Sequence, residues 1–313
     1  MRIVLFGQAA FGQRVFSGIL EAGHEVAAVY APGPRGDRAD PLAAAAAEAG
    51  VSLHTPSSYK TPEVEAEVIG LGADLGVLAF VTKIIPQAVI DAPVHGSICF
   101  HPSLLPRYRG GNALAWQLIA GESRGGFTVF WTDPGIDTGP ILLQREVEIS
   151  PTDTAGSLYF DKIFEPGVVG MVEAVDLIAA GKAPRIPQDE SQATYDPLCK
   201  DEHACVQWAA AAATSYDLIR GCDPQPGAHV RFQGEQVRLY GARLLADSPQ
   251  AAPGTVTAID GDGLCVACGS GEGAGTVQLG RLRVGREKLA AAEAAERLGI
   301  AVGAVLEDGR VDG

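Results

Sequence analysis

Residues 97–111 read SICFHPSLLPRYRGG, and in this stretch a strand runs into a loop rich in turn-forming residues. Residues 97–100 are typical of a buried strand. Pro102 and Pro106 cannot lie inside a paired central strand, so we predict that regular structure stops near His101. In open α/β sheets, ligands bind outside the carboxyl ends of the strands. The sequence therefore predicts that His101 lies at the ligand-binding edge of a sheet.

A second segment, residues 133–139 (DPGIDTG), is a turn of Gly, Pro and Asp that can present Asp137 to the same edge. An imidazole and a carboxylate are the smallest set of groups that can manage the proton in acyl chemistry. We therefore predict that His101 and Asp137 are catalytic. The alternative is a structural histidine beside a turn-capping aspartate.

Apolar strands alternate with helices in the first half of the chain. We predict strands at residues 2–6, 25–30 and 73–80, and helices at about 12–23, 41–50 and 63–70. This alternation indicates parallel βαβ units, and the nearly continuous apolar strands fit a sheet that is covered on both faces.

The composition changes near residues 181–201, where polar residues and prolines form a linker or an arm that wraps the first domain. Beyond it we predict a helix at 205–220, an amphipathic helix at 287–299 and a small barrel of short strands. The barrel strands are predicted at residues 228–232, 236–244, 254–259, 264–267 and 276–279. The predicted division is a domain at 1–181, a linker at 182–204 and a second domain at 205–313.

The composition limits the class of protein. The chain has 313 residues, 47% of them hydrophobic and 20% charged, as in a soluble protein of about two domains. It has no apolar run of about 20 residues and starts directly with a strand, so we expect no membrane span, no signal peptide and a cytoplasmic location. The formal net charge of −14 argues against non-specific binding to nucleic acid, although a local basic patch stays compatible with it.

Two short patterns bear on cofactors. The turn at residues 7–12 (GQAAFG) lacks the G-x-G-x-x-G spacing, so we expect no NAD there, although the turn can still hold a small anionic group at the helix start. Cys265 and Cys268 have CxxC spacing, but no second pair accompanies them. We therefore predict an ordinary strand and no metal site.

The motif His101-x-Ser-Leu-Leu-Pro, the following Arg109-Gly-Gly and the later Gly135-Ile-Asp-Thr-Gly resemble the signature of the folate-dependent formyltransferases. The resemblance covers nearly the whole chain. It is closest to the N-terminal hydrolase domain of 10-formyltetrahydrofolate dehydrogenase and extends to methionyl-tRNA formyltransferase. It implies a Rossmann-like parallel sheet followed by an open barrel of the OB type.

The resemblance also implies roles for individual residues. His101 and Asp137 match the family's catalytic pair, and 10-formyltetrahydrofolate is the implied formyl donor, with no metal and no NAD. Transferases of the family usually carry Asn two residues before the histidine, whereas this chain has Cys99, a weaker donor that fits the hydrolase-like branch. The implied folate-binding residues are Phe80, Val81, Thr82, Lys83, Ile84, Ile85, Pro86, Ser103, Leu104, Thr132, Asp133, Gly135 and Ile136.

The formyl acceptor stays open. The leading interpretation is removal of the formyl group to water or to a small acceptor. The alternatives are transfer to initiator methionyl-tRNA, transfer to an amino-sugar nucleotide, and a folate-binding module without enzymatic activity. The oligomeric state cannot be read from these patterns.

Overall fold

The computed structural model describes residues 1–247 and 249–309. The strands are β1 (Arg2–Gly7), β2 (Glu25–Tyr30), β3 (Ser52–His54), β4 (Leu75–Ala79), β5 (Ser97–His101), β6 (Arg109–Gly110), β7 (Arg124–Trp131), β8 (Ile141–Glu148), β9 (Tyr195–Asp196), β10 (His229–Phe232), β11 (Glu235–Leu245), β12 (Val256–Asp260), β13 (Gly263–Cys268), β14 (Gly275–Val284) and β15 (Glu287–Ala290). The helices are α1 (Ala9–Glu21), α2 (Pro41–Glu48), α3 (Pro62–Gly70), α4 (Gln87–Asp91), α5 (Ala113–Ile119), α6 (Ala155–Ser157), α7 (Phe164–Ala179), α8 (Ala212–Gly221) and α9 (Ala291–Leu298).

The chain divides into two compact units. Unit 1 comprises Met1–Arg109, Gly126–Val147 and Phe160–Tyr195. Unit 2 comprises Gly110–Gly125, Glu148–Tyr159 and the described residues from Asp196 onward. The division at residues 181 and 205 that the sequence suggested stays a prediction.

A seven-stranded sheet in the order β3-β2-β1-β4-β5-β7-β8 contains the strands of the first half of the chain. Neighbours from β3 to β5 pair in parallel, and β7 then pairs with β5 in the antiparallel direction. The predicted α/β class with a mainly parallel sheet is confirmed. Every residue of β4 is buried, which explains why this strand is apolar throughout.

The start of α1 lies against the sheet because two glycines allow a close approach. A Cβ atom on Gly7 would lie 2.6 Å from the carbonyl oxygen of Ala79, and one on Gly12 would lie 3.1 Å from a methyl group of Leu42. The first amide of the helix, that of Ala9, donates to both carboxylate oxygens of Asp40 at 2.9 and 3.1 Å. An internal carboxylate therefore occupies the position that a cofactor phosphate takes at such helix starts, and a second anion there would meet like charge.

Unit 2 is built on an antiparallel sheet in the order β10-β11-β14-β13-β12, with β15 also paired to β14. The segment that follows α9 bridges both edges of this sheet, since Glu307 pairs with Arg231 of β10 and Val305 pairs with Thr255 at the start of β12. The predicted second domain of short strands is confirmed, and its strands form an antiparallel sheet. Its assignment to the OB type stays a prediction.

Two predicted helices of unit 2 are wrong in part. The helix predicted from residue 205 begins at Ala212, because the backbone before it pairs with other segments: Val206 donates to the carbonyl of His229 at 3.0 Å. The helix predicted from residue 287 begins at Ala291, because Glu287–Ala290 pairs with β14 as strand β15. In both places hydrogen bonds to another strand or segment replace the local helical ones.

Two negative findings hold for the residues that the structure describes. None of their helices is long and apolar enough to cross a membrane. Within the same residues, no group of three or more His, Cys, Asp or Glu side chains is arranged to hold a metal ion.

Candidate active site

Strand β5 places Cys99 and His101 on one face of the sheet, because successive strand residues point to opposite faces. Phe100 points to the other face, where the centroid of its ring lies 4.4 Å from the ring centroid of Phe11 in α1. On this side a Cβ atom on Gly167 of α7 would come within 2.7 Å of the Phe100 ring. The helices α1 and α7 therefore cover the Phe100 face, and the candidate catalytic residues belong to the opposite face.

Both ring nitrogens of His101 have partners. Its side chain is 7% exposed, with Nε2 2.7 Å from the carbonyl oxygen of Tyr108 and Nδ1 3.4 Å from Oδ2 of Asp137. A carbonyl oxygen only accepts, so Nε2 carries a hydrogen. Nδ1 then faces a carboxylate oxygen, and that contact is favourable when a proton lies between the two atoms. The structure thus brings the predicted residues His101 and Asp137 into contact.

Cys99 lies beside this pair as a protonated thiol. Burial raises the pKa of the thiol well above its usual range, and the negative charge of Asp137 raises it further. Its sulfur lies 3.6 Å from the carbonyl oxygen of Phe100, to which the thiol donates. A neutral thiol is a poor nucleophile, so the surroundings favour a packing role for Cys99 over covalent catalysis.

The loop between β7 and β8 carries Asp137, and its own polar groups hold it. The backbone amide and hydroxyl of Thr132 both contact the carbonyl oxygen of Ser97 at 3.0 Å. The carboxylate of Asp133 accepts from the amide of Gly135 and from the hydroxyl of Thr138. Thr132 and Asp133 therefore shape the loop, while the side chain of Ile136 at its tip is 63% exposed.

The loop after β4 contains the other predicted folate-binding residues. Val81 and Ile85 pack into the hydrophobic cluster that also includes Cys99, whereas the side chain of Ile84 is 73% exposed. The ammonium group of Lys83 donates to the carbonyls of Pro56 and Ser57 at 3.1 and 3.0 Å. A small cavity of about 20 Å³ lies here at the carboxyl edge of the sheet, lined by Gly7, Gln8, Pro32, Tyr59, Val81, Thr82 and Lys83.

The side chains of Ser103 and Leu104, in the loop that follows β5, make contacts within the protein. Ser103 is fully buried, and its hydroxyl donates to the carbonyl of Arg107 at 2.7 Å. A Cβ atom on Gly126 would meet a methyl group of Leu104 at 2.6 Å, so Leu104 packs against β7. Direct contact of these two side chains, and of the other predicted residues, with folate stays a prediction.

Arg109 belongs to one of the motifs, but its contact with Gln188 was not predicted from the sequence. The side chain of Arg109 is fully buried. The guanidinium contacts Gln188 at 2.8 Å and Glu190 at 2.6 Å. The run Gln188-Asp189-Glu190 was the only sequence signal for this contact, and it lies in the segment that we expected to be a linker or an arm.

The His101–Asp137 contact thus lies at the carboxyl edge of a mainly parallel sheet, the edge at which α/β proteins of this class bind their ligands. Residues 1–175 match the formyl transferase family, and residues 199–298 match the formyl transferase C-terminal domain family. The chain therefore belongs to the formyl transferase family, as the resemblance predicted.

The names of similar proteins in the family describe different activities. The chain is 46% identical over 259 residues to the mitochondrial 10-formyltetrahydrofolate dehydrogenase of Mus musculus. The alignment covers 81% of this chain and 28% of the dehydrogenase. The chain thus spans little more than a quarter of the dehydrogenases that it matches. It is 36% identical over 277 residues to the methionyl-tRNA formyltransferase of Moorella thermoacetica, covering 87% of this chain and 89% of that enzyme.

Solved structures support the fold. The structure of HypX from Aquifex aeolicus in complex with tetrahydrofolic acid aligns with a TM-score of 0.69 at 23% identity, over 96% of this chain and 48% of that one. An N-formyltransferase from Helicobacter canadensis, in complex with folinic acid and dTDP-3-aminofucose, aligns with a TM-score of 0.65 at 16% identity, over 88% of this chain and 98% of that one. At these identities the alignments show a shared fold.

Proposed function

We propose that this protein removes the formyl group of 10-formyltetrahydrofolate, with water or a small molecule as the acceptor. The observation that carries the proposal is the His101–Asp137 pair beside a neutral thiol at position 99. A thiol is a weak hydrogen-bond donor, so this site offers the developing oxyanion less help than the asparagine expected of the transferases. The 46% identity to a 10-formyltetrahydrofolate dehydrogenase supports the same branch.

The exposure of the two side chains supports an order for the proton steps in the reaction with water. The side chain of Asp137 is 17% exposed and that of His101 is 7% exposed, so the carboxylate is the group that a water molecule reaches first. Asp137 accepts a proton as the water oxygen bonds to the formyl carbon. The pair then returns a proton to N10 of the folate as the carbon–nitrogen bond breaks. The products are tetrahydrofolate and formic acid, which leaves as formate after it releases its proton to solvent.

Transfer to methionyl-tRNA is the second candidate. It is favoured by the methionyl-tRNA formyltransferase of Moorella thermoacetica, because that relative matches this chain over 89% of its own length. The formal net charge of −14 argues against it, since binding of tRNA depends on basic residues. A cytoplasmic location suits either activity and stays a prediction.

The test is turnover of 10-formyltetrahydrofolate by the purified protein, followed by absorbance, first without an acceptor and then with charged initiator tRNA. His101→Ala and Asp137→Ala remove the pair, and Asp37→Ala serves as a control because Asp37 is an exposed residue outside the site. Release of tetrahydrofolate without acceptor, lost in both site variants and kept in the control, supports the proposal. Turnover that requires tRNA overturns it in favour of the second candidate, and no turnover in either arm contradicts both.

A further inference from the structure

The two residues that contact the ring nitrogens of His101 share an unusual backbone conformation. Tyr108 has a φ of 60° and Asp137 has a φ of 56°, both in the left-handed region that side chains other than glycine rarely adopt. Tyr108 supplies the carbonyl for Nε2, and Asp137 supplies the carboxylate for Nδ1. Such a conformation persists where neighbouring groups enforce it, so the contacts that hold these two residues bear directly on the orientation of the imidazole.

Residues 182–195, which we call the arm, supply those contacts within unit 1. The arm lies against the hairpin that carries Asp137: Ile186 exchanges two backbone hydrogen bonds with Ile141, at 2.8 and 2.9 Å. The guanidinium of Arg185 lies over the ring of Trp131 at 3.7 Å. The arm is therefore attached to both strands of the hairpin, β7 and the start of β8, before it reaches the His101 site.

Gln188 of the arm holds the backbone around Asp137. Its Nε2 donates to the carbonyl of Asp137 at 2.9 Å and to the carbonyl of Gly139 at 2.7 Å. Its Oε1 accepts from the buried guanidinium of Arg109 at 2.8 and 3.2 Å. Because a guanidinium only donates, Arg109 fixes which end of the amide faces Asp137.

The other end of the arm holds Tyr108. The hydroxyl oxygen of Thr194 accepts from the amide of Tyr108 at 2.7 Å, and the carbonyl of Thr194 accepts from the amide of Arg109 at 3.0 Å. Arg109 also pairs with Glu190, whose pKa it lowers below the ordinary value. One segment of chain therefore contacts the residues on both sides of the imidazole.

We propose that Gln188 is a positioning residue for the His101–Asp137 pair, acting through the backbone of Asp137 and Gly139. The inference rests on the proposed function and extends it, because it makes the arm part of the reaction site. Gln188 touches neither the imidazole nor the carboxylate; it sets where the carboxylate stands relative to Nδ1. A small displacement of a reacting group is enough to slow a reaction by orders of magnitude.

The substitution Gln188→Glu separates this role from a merely structural one. Glutamate keeps an oxygen acceptor for Arg109 but has no N–H groups, and it sets a carboxylate oxygen against two carbonyl oxygens. If Gln188 serves only to satisfy Arg109, Gln188→Glu keeps its activity. If it positions Asp137, Gln188→Glu loses activity as Gln188→Ala does. Gln192→Ala is the matched control, because Gln192 lies in the same arm and its side chain bonds to the exposed Asp189.

The experiment measures kcat and KM for 10-formyltetrahydrofolate in the wild-type protein and the three variants, together with the ¹⁵N NMR signals of the His101 ring. We expect kcat to fall about 10- to 100-fold in Gln188→Glu and Gln188→Ala, with KM changed less than about threefold. We also expect the His101 signals to move in both variants and to stay in place in Gln192→Ala.

The outcomes separate this inference from the proposed function. Unchanged kcat and unchanged His101 signals in Gln188→Glu overturn the inference, as does an equal loss of activity in Gln192→Ala. If the wild-type protein shows no turnover while the His101 signals still move in Gln188→Glu, the positioning role stands and the proposed function fails.

Discussion

Burial raises the pKa of the Cys99 thiol, and the nearby carboxylate of Asp137 raises it further. The two residues are brought together by the fold, since Cys99 lies in β5 and Asp137 in the loop between β7 and β8. Asp137 thus has two neighbours in one site: its carboxylate contacts the His101 ring, and its charge adds to the effect of burial on the thiol. A thiol in this state serves neither as a nucleophile nor as a strong donor.

The first prediction concerns Cys99→Ala. Because the thiol is neutral and donates to a backbone carbonyl, we expect this variant to keep the turnover of 10-formyltetrahydrofolate within about threefold of the wild type. His101→Ala is the comparison and should lose about 10²- to 10⁴-fold, the usual contribution of a general acid or base. The measurement is kcat for both variants, with iodoacetamide treatment of the wild type as a second readout. A Cys99→Ala variant as inactive as His101→Ala would show that the thiol takes part in the chemistry.

The strands of the first sheet could be predicted because burial on both faces leaves an apolar run that is easy to recognise. Residues 25–30 were predicted with the bounds that β2 has in the structure. Strand β3 (Ser52–His54) was missed, because it is a short polar strand at the edge of the sheet, with no apolar pattern. Helix α1 begins at Ala9, earlier than predicted, because Asp40 from elsewhere in the chain satisfies its first amide.

The residues of the site were predictable where a local motif carries each of them, and not where a partner lies in a segment without a motif. His101 and Asp137 were indicated by local patterns, and the structure places them 3.4 Å apart. The burial of Arg109 was not predictable, because its partners Gln188 and Glu190 lie far along the chain in a polar segment typical of a linker. The spacing of apolar residues along a segment indicates how that segment packs against the core. It carries no information about which distant loop will contact a buried charged side chain.

The second prediction concerns Asp40, whose carboxylate accepts from the amides of Ala9 and Leu42 and so caps both α1 and α2. We expect Asp40→Ala to lower the free energy of unfolding by about 1–3 kcal/mol, because a cap at each helix is lost. Asp40→Asn keeps an acceptor and should cost less, since only the charge at the helix start is removed. Urea denaturation measures both variants.

Asp37→Ala is the control for Asp40, because Asp37 is exposed in the same loop. Its unfolding midpoint should match that of the wild type. If Asp37→Ala and Asp40→Ala destabilise the protein equally, any substitution in this loop lowers stability. The result would then contradict the prediction that Asp40 caps both helices.

The third prediction is a dependence of stability on pH that comes from His229 in unit 2. Burial lowers the pKa of His229 below its ordinary value of 6.5. Nε2 of this residue contacts the carbonyl oxygen of Asp201 at 3.1 Å, so it carries the hydrogen of the neutral ring. Nδ1 is buried and has no hydrogen-bond partner among the described residues, so a second proton there would go unsatisfied.

The sign of the effect follows from proton binding. Below about pH 6.5 the unfolded chain takes up a proton at this histidine that the folded chain resists, so the free energy of unfolding falls as the pH falls. We expect the Tm of the wild type to drop between about pH 7.5 and about pH 5.5, and to drop less in His229→Gln, whose amide can still donate to Asp201. The exposed His95→Gln is the control and should keep the wild-type slope. If both variants show that slope, burial of His229 does not set the pH dependence.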